Sequence, residues 1–262
     1  MITKQIWMYW DQGWDHAPDL VKECKNSWIR LNPDYEMHTL DQTSLFDYID
    51  FPVGIDIRRK DLTIQKVANL ARLALLSKHG GVCADATLMC VKPLSEWIEE
   101  YYESQFFAFR NPGTDRLMSN WFIAAESENI ILRRLYNQGT ALGKVLLKKF
   151  GRYWNKEIKT SLKWHSWFAR KVLRIYPYFI FHYTFNKLIH DDPECAKLWN
   201  DAKPFSAEAP HLMKRLESAV DGIAKAKREI DNHNTPMYKL SWRVDSSNSY
   251  WSAIIPYLRG QP

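Results

Sequence analysis

Cysteine is scarce in this sequence: it occupies four of 262 positions and never forms a Cys-x-x-Cys pair. That pair is typical of structural zinc sites, and secreted domains held by disulfides carry a denser cysteine framework. The sequence therefore indicates neither, and it favours a reducing, cytoplasmic environment. With 46% hydrophobic and 14% aromatic residues, the chain has enough apolar side chains for a sizeable core.

Long apolar runs are missing as well. No stretch reaches the roughly 18 residues of a membrane span, and Met1 to Trp7 lack a basic segment followed by an apolar run. Internal repeats, low-complexity tracts and a convincing domain linker are also missing. We therefore expect one domain over residues 1–262 that is neither exported nor integral to a membrane.

Acidic residues are nearly missing from residues 144–187, which contain 11 lysines and arginines and one acid, Glu157. The net charge of the whole chain is only +6, so its positive charge is local. A local basic segment indicates an anionic partner such as a membrane surface, a phosphate-bearing acceptor or nucleic acid.

Strand and helix patterns alternate in the first half of the chain. Strands are predicted at 6–10, 35–40, 82–89, 106–110 and 120–124, and helices at 17–31, 62–78, 96–103 and 129–136. This alternation predicts an α/β sheet flanked by helices. The second half is expected to be mostly helical, with a helix at 206–231 and a strand-like and turn-like tail at 237–258.

The most informative stretch is 68–90, where a predicted helix, a double glycine and an apolar strand lead into one acid, Asp85. An ionisable side chain in an apolar strand is costly without a partner, so Asp85 indicates a polar ligand or a cation. A structural aspartate with satisfied hydrogen bonds gives the same pattern. On the preceding helix, Asn69 and Arg72 share one face, which alone is typical of an ordinary solvated helix surface.

The spacing between these elements is more specific, since Asn69 lies 16 residues before Asp85 and Arg72 lies 15 before Thr87. It resembles the sugar-binding region of retaining glycosyltransferases of the A-type (GT-A) fold. There, Asp-x-x-Arg on a helix precedes Gly-Gly and then Asp-x-Asp at a strand end. The match is closest to the capsular polysaccharide synthesis branch. Its Ile-Trp-x-x-Trp-x-x-Gly and Gly-Gly-x-x-x-Asp-Ala-Thr patterns correspond to Ile6–Gly13 and Gly80–Thr87.

This resemblance, clear over about residues 4–90, implies a GT-A-like (Rossmann-like) mixed sheet flanked by helices. It also implies an enzyme that moves a hexose or an N-acetylhexosamine from a nucleotide-diphosphate sugar, with a UDP-sugar expected, to a bacterial-type surface polysaccharide or lipid-linked glycan. The anomeric configuration would be retained. About 1–140 would be the nucleotide-sugar-binding part, and about 141–262 the helical part that faces the acceptor or membrane, with the tail.

The resemblance also implies roles for individual residues. Ile6 and Trp7 would contact the base, and Asn69 and Arg72 the hydroxyls of the donor sugar. Asp85 would bind ribose and sugar hydroxyls or support a metal. On this basis Asp85 and Asn69 are the predicted catalytic residues, and Asp85 is the predicted metal ligand.

Two positions depart from the wider family pattern. Asn69 stands where that pattern has Asp, and Thr87 where it has the second Asp, which normally holds Mn²⁺ or Mg²⁺ against the leaving diphosphate. Threonine is a poor ligand for a hard cation, so metal binding is expected to be weak or to depend on Asp85 and more distant ligands. Candidate ligands without diagnostic spacing are His182, Asp191, Asp192, His233 and Asp245.

Lys239 offers a second way to meet the diphosphate. With Ser241 and Trp242 it forms the densest polar and aromatic cluster of the tail, and the resemblance places a Ser and a Trp near this end of the chain for donor binding. An ordinary surface lysine explains Lys239 equally well.

The segment 152–174 predicts an amphipathic helix whose basic stripe would lie on anionic lipid headgroups, on the inner face of the cell membrane. A core helix with a basic exposed side gives the same period. The residues predicted to contact the membrane surface are Lys156, Lys159, Lys163, Arg170 and Arg174.

Two other functions stay open. A nucleic-acid-binding protein would use the basic aromatic segment 144–187 for phosphates and base stacking. That function leaves the helix, the double glycine and Asp85 unexplained, so nucleic acid is not the expected partner. A non-catalytic nucleotide-sugar-binding relative would account for Asn69 and Thr87.

Overall fold

The computed structural model describes residues 2–50, 63–138, 179–232, 234–243 and 248–259. The strands in this part of the chain are β1 (Gln5–Tyr9), β2 (Glu36–Leu40), β3 (Gly81–Asp85), β4 (Leu88–Cys90), β5 (Phe106–Gly113), β6 (Arg116–Ala125) and β7 (Met237–Lys239). The helices are α1 (Asp19–Leu31), α2 (Leu45–Tyr48), α3 (Ile64–His79), α4 (residues 130–138), α5 (Ile180–Asp191), α6 (Pro193–Asp201), α7 (Leu212–Leu216), α8 (Gly222–Asp231) and α9 (Ser249–Leu258).

Five of these strands form a mixed sheet in the order β2-β1-β3-β6-β5. Strand β1 is parallel to both of its neighbours, whereas β6 is antiparallel to β3 and to β5. The register places Tyr9 opposite Asp85 at the carboxyl ends of β1 and β3. The predicted α/β class, a mixed sheet with flanking helices, is confirmed.

Each face of the sheet has its own core because side chains alternate along a strand. Ile6 and Val82 pack with α1 on one face, in a core that includes the buried Trp28. Trp7 and Cys83 pack with α3 on the other face. Both faces of the central strands are therefore covered, which explains why β1 and β3 are nearly continuous apolar runs.

Two glycines connect α3 to β3. Gly80 ends the helix with φ of +68°, and Gly81 follows with φ of +93°. A Cβ atom on Gly81 would lie 2.5 Å from the carbonyl oxygen of Gln5. The double glycine is therefore required by a left-handed backbone and by the close approach of β1.

The strand predicted at 82–89 is interrupted by a turn. Thr87 donates to Oδ1 of Asp85 from its backbone nitrogen at 3.0 Å and from its hydroxyl at 2.7 Å. This Asx-type turn ends β3 and directs β4 into a separate two-stranded sheet, where β4 pairs antiparallel with β7. The register sets Lys239 opposite Leu88, so the tail returns to the turn.

Three other predicted elements differ from the observed ones. The helix predicted at 206–231 is interrupted between α7 and α8, where Asp221 adopts a left-handed conformation with φ of +57°. The short helix predicted at 96–103 consists of two 3₁₀ turns, Leu94–Glu96 and Ile98–Tyr101. The end of the strand-like tail is the helix α9, capped by Asn248, whose side chain accepts from the backbone nitrogen of Tyr250.

None of the helices in the described ranges is both long enough and apolar enough to cross a membrane. The predicted basic helix lies outside the described residues, so its membrane contact stays a prediction. The same holds for its five residues, Lys156, Lys159, Lys163, Arg170 and Arg174.

Candidate functional site

A cavity of about 680 Å³ opens at the carboxyl ends of β1 and β3. Its inner walls are formed by residues 9–12 at the end of β1, the turn 85–87 and one side of α3. Residues 239–242 of the tail form another wall. In open α/β sheets, ligands bind in the crevice at the carboxyl ends of the strands. This cavity is therefore the candidate site, and it contains most of the residues predicted from the sequence.

Asp85 lies between cationic groups in this cavity. Lys239 Nζ is 3.0 Å from Asp85 Oδ1, and the same oxygen accepts both bonds from Thr87. All the hydrogen bonds to this carboxylate within the described part of the chain end on Oδ1, so Oδ2 is available to a ligand. About a third of the side chain (34%) is open to the cavity.

The same neighbours determine the charge of Asp85. Burial alone would raise the pKa of its carboxyl group, but the charges of Lys239 and Arg72 and the hydrogen bonds from Thr87 outweigh it. The pKa of Asp85 therefore lies well below its usual range. The carboxylate is ionised at neutral pH and acts as a hydrogen-bond acceptor.

Asn69 and Arg72 lie together on α3, as predicted. Arg72 Nη1 donates to Asn69 Oδ1 at 2.8 Å, and Asn120 Nδ2 on β6 donates to the same oxygen at 2.8 Å. Burial lowers the pKa of Arg72, while Cys83 and Asp85 act in the opposite direction. Arginine keeps its charge in proteins, so the cavity holds a buried guanidinium beside Asp85.

The two residues predicted to contact the base lie in the core. Ile6 is 1% exposed, packs on the α1 face and does not line the cavity. This corrects the predicted contact of its side chain, because the alternation along β1 turns Ile6 away from the site. Trp7 lines the cavity but is 2% exposed, stacks on His38 at 4.1 Å between ring centroids and donates from Nε1 to the carbonyl oxygen of Gly80.

The tail brings its predicted cluster to the cavity: Lys239, Ser241 and Trp242 all line it. Trp242 is 49% exposed and meets Trp10 edge-on, with ring centroids 6.4 Å apart. An exposed indole beside a polar cavity offers a flat surface for a base or a sugar. Trp242 is therefore better placed than Trp7 to stack on a ligand.

Sequence reasoning missed several residues of the opposite wall. Arg116, Asn120 and Trp121 come from β6, and His211 from the turn before α7. No sequence motif marks these residues. The β5–β6 hairpin brings Arg116, Asn120 and Trp121 to the site, and the 3₁₀ turn Ala209–His211 brings His211. Arg116 lies over the ring of Phe179 at 3.9 Å and donates from Nε to Asp115 at 3.0 Å.

Two histidines of the cavity are held neutral at pH 7. Burial, together with the charges of Arg116 and Arg72, lowers the pKa of His182 to about 4. Burial and the charge of Lys239 lower the pKa of His211 to about 4. Neutral imidazoles add hydrogen-bonding groups to the cavity without adding charge.

The described residues do not fit a divalent cation held by the protein. A hard cation needs several oxygen ligands, but the Asp85 oxygen that faces Thr87 is occupied by the Lys239 ammonium group. No cluster of three or more His, Cys, Asp or Glu side chains within the described ranges has metal-binding geometry. Of the candidate ligands beyond Asp85 that lie in the described ranges, only His182 lines the cavity. His233 and Asp245 lie outside the described residues.

Asp191 and Asp192, the remaining candidates, have structural partners away from the cavity. Asp191 pairs with Lys187 and His190. Asp192 caps α6 through the backbone nitrogens of Glu194 and Cys195 and pairs with Arg134. Their predicted role as ligands is corrected, because each carboxylate is engaged by its own helix.

Comparison with known proteins places these residues in a family context. A family model described as "Capsular polysaccharide synthesis protein" matches residues 1–141 and 145–256. Among curated proteins, the chain is similar to the O-glycosyltransferase braB of Annulohypoxylon truncatum, with 29% identity over 150 residues. That match covers 50% of this chain and 35% of the relative, so the chain spans about a third of that protein's length.

Two solved structures are also similar over most of the chain. The PaToxG glycosyltransferase has a TM-score of 0.40 and 15% identity, with 99% of this chain and 86% of that chain covered. The catalytic domain of alpha-toxin from Clostridium novyi has a TM-score of 0.39 and 11% identity, with coverage of 98% and 73%.

Proposed function

The chain belongs to the family of capsular polysaccharide synthesis proteins, and we propose that it is a glycosyltransferase that uses a nucleotide-diphosphate sugar bound in the cavity. The observation that carries this proposal is the ionised Asp85, which contacts Lys239 and is also stabilised by the charge of Arg72, at the carboxyl ends of β1 and β3. Carboxylate oxygens suit sugar hydroxyls, and clustered cations suit a diphosphate.

The proposed reaction transfers the sugar from the diphosphate to an acceptor hydroxyl. The bond between the anomeric carbon and the diphosphate oxygen breaks, and its electron pair goes to that oxygen. The acceptor oxygen forms the new bond to the anomeric carbon, and its proton goes to the departing diphosphate. Retention requires attack from the face that the diphosphate leaves. Catalysis then depends on positioning and on stabilising the charge of the diphosphate.

Four side chains from two walls of the cavity have places in this proposal. Asp85 Oδ2 would accept from a hydroxyl of the donor. The Asn69 amide nitrogen would donate to one, since Arg72 and Asn120 both donate to its oxygen. Ser241 would donate to the diphosphate, and Trp242 would stack on the base or sugar.

We further propose a hexose or an N-acetylhexosamine as the transferred sugar, UDP as the carrier, and a surface polysaccharide or lipid-linked glycan as the acceptor. The match to capsular polysaccharide synthesis proteins supports a glycan acceptor. A relative named as an O-glycosyltransferase supports a hydroxyl as the attacking group. Such an acceptor would be met at the cytoplasmic face of the membrane.

Donor consumption by the purified protein tests the proposed activity. We expect one or more members of a panel of UDP-, GDP- and TDP-sugars to be hydrolysed or transferred and to raise the melting temperature. Asp85→Ala should abolish turnover, while Asp50→Ala, at an exposed position, should leave it unchanged. Neither turnover nor a thermal shift with any donor would contradict the proposal.

Turnover, measured beside the thermal shift, separates an enzyme from a non-catalytic relative. A protein that binds nucleotide sugars but does not consume them with any acceptor glycan would be a non-catalytic nucleotide-sugar-binding relative.

Association with anionic vesicles is a separate test, of the predicted membrane contact. We expect Lys156→Gln, Lys159→Gln and Lys163→Gln together to release the protein from vesicles that contain phosphatidylglycerol, and unchanged association would contradict the membrane contact.

A further inference from the structure

The pairing of β7 with β4 positions the backbone of Lys239 next to Asp85, so the contact does not depend on a flexible side chain alone. Strand β7 pairs with β4 from Met237 to Lys239, and Leu240 continues the contact by donating from its backbone nitrogen to the carbonyl oxygen of Thr87 at 2.9 Å. The Lys239 side chain is 20% exposed. Its ammonium group therefore has a fixed position beside the 85–87 turn.

The ammonium group joins two side chains of that turn. Lys239 Nζ donates to Asp85 Oδ1 at 3.0 Å and to the hydroxyl oxygen of Thr87. Thr87 in turn donates its hydroxyl proton to Asp85 Oδ1. A third contact of Nζ, to the carbonyl oxygen of Leu240 at 3.5 Å, lies at the limit of a hydrogen bond. One of the three N–H groups is thus available to a ligand.

The residue types at positions 87 and 239 complement each other in charge. Threonine is neutral, and its hydroxyl both accepts from the lysine and donates to the aspartate. A second carboxylate at position 87 would add a negative charge and would call for a divalent cation. With Thr87, one negative charge at Asp85 meets one positive charge at Lys239.

We infer that the Lys239 ammonium group performs the task of a divalent cation in this site, bridging Asp85 and the diphosphate of the donor. This inference rests on the proposed function. The ammonium group stays protonated throughout, and its charge stabilises the diphosphate oxygen that receives the electron pair of the broken bond. The buried guanidinium of Arg72, whose charge also acts on Asp85, provides a second positive charge.

Metal dependence of the wild-type protein is the first test and involves no variant that could fail to fold. Donor consumption and the affinity for UDP are measured after dialysis against EDTA, and again with Mn²⁺ added. We expect both quantities to agree within about twofold between the two conditions. Turnover or binding that requires Mn²⁺ would overturn this inference and leave the proposed function intact. If no donor binds or turns over under either condition, both are wrong.

Variants at position 239 form the second test. Lys239→Met keeps the length of the side chain and removes its charge. We expect it to lower donor consumption about 100-fold or more and to weaken UDP binding in EDTA, as when a group that stabilises transition-state charge is removed. Lys239→Arg should recover part of both. Lys225→Met, at an exposed position on α8, is the matched control. If Lys239→Met, folded by circular dichroism, retained wild-type turnover in EDTA, the inference would fail.

Discussion

Asn120 on β6 donates from Nδ2 to the side-chain oxygen of Asn69 on α3 at 2.8 Å, inside the cavity. Arg72 donates to the same oxygen at 2.8 Å, so the orientation of the Asn69 amide is set by two donors. Strand, helix and buried guanidinium are joined at one atom. The amide nitrogen is left for a ligand.

Asn69→Asp tests the use of that nitrogen. A carboxylate still accepts hydrogen bonds from Arg72 and Asn120. However, it cannot donate a hydrogen bond to the nucleotide sugar, and its charge repels a diphosphate. We expect the affinity for the nucleotide sugar, measured by calorimetry, to fall about tenfold, the equivalent of one hydrogen bond. Thermal stability should change little. Asn120→Ala, the control for the network, should cost about 1 kcal/mol of stability. Wild-type affinity in Asn69→Asp would show that the nitrogen does not contact the donor.

Asp85→Asn tests the charge of the carboxylate. Because the pKa of Asp85 is lowered on folding, its charge contributes stability above about pH 4, the usual value for Asp, and this contribution is lost as the pH falls below it. We expect the variant to lose about 1–2 kcal/mol at pH 7, a moderate loss because solvent reaches the site. Urea unfolding at pH 7 and pH 3 measures both proteins. The difference between them should shrink at pH 3, and a constant difference would count against the ion pair.

His182→Gln tests the buried imidazole. Its pKa is about 4 in the folded protein and about 6.5 when unfolded. Between these values the unfolded chain binds a proton that the folded protein does not, so stability falls as the pH falls. The variant should reduce this slope by up to about 1.4 kcal/mol per pH unit. A slope equal to that of the wild type would contradict the buried neutral state.

Gly81→Ala tests the connection between α3 and β3. The new methyl group would lie 2.5 Å from the Gln5 carbonyl oxygen, in a left-handed backbone. We expect the loss of unfolding free energy to reach about 3 kcal/mol or more. Gly13 also has a positive φ, but a Cβ added there would lie 3.9 Å from the nearest atom, Oδ2 of Asp41, so Gly13→Ala should cost only about 1 kcal/mol. Guanidinium unfolding measures both variants, and equal losses would show that the close approach to β1 is unimportant.

Sequence reasoning located one wall of the site and missed another, for a physical reason. Asn69, Arg72 and Asp85 belong to one helix–turn–strand unit, so their spacing along the chain reflects their spacing in space. Arg116 and Asn120 reach the cavity through the β5–β6 hairpin, and nothing in their local sequence reports the sheet order. For Lys239 the sequence supports a surface lysine and a site residue equally well, because only the pairing of β7 with β4 brings its ammonium group to Asp85.

The errors in the predicted secondary structure also have local causes. The strand predicted at 82–89 continues through Thr87 because the residues before and after the 85–87 turn are apolar. The turn itself depends on a hydrogen bond from the Thr87 backbone nitrogen to the Asp85 side chain. Helix α9 was missed although Tyr250, Ile254 and Leu258 recur at helical spacing. Pro256 lies within this helix, a position where proline is unfavourable.

The pairing of β4 with β7 also sets an order of events during synthesis. Asp85 and Lys239 are 154 positions apart, so a ribosome must complete most of the chain before the carboxylate meets its counter-charge. Until then, the first half of the chain contains Asn69, Arg72 and Asp85 but not the lysine. Since contacts between distant segments form late in folding, the cavity lacks its tail wall until the chain is nearly complete.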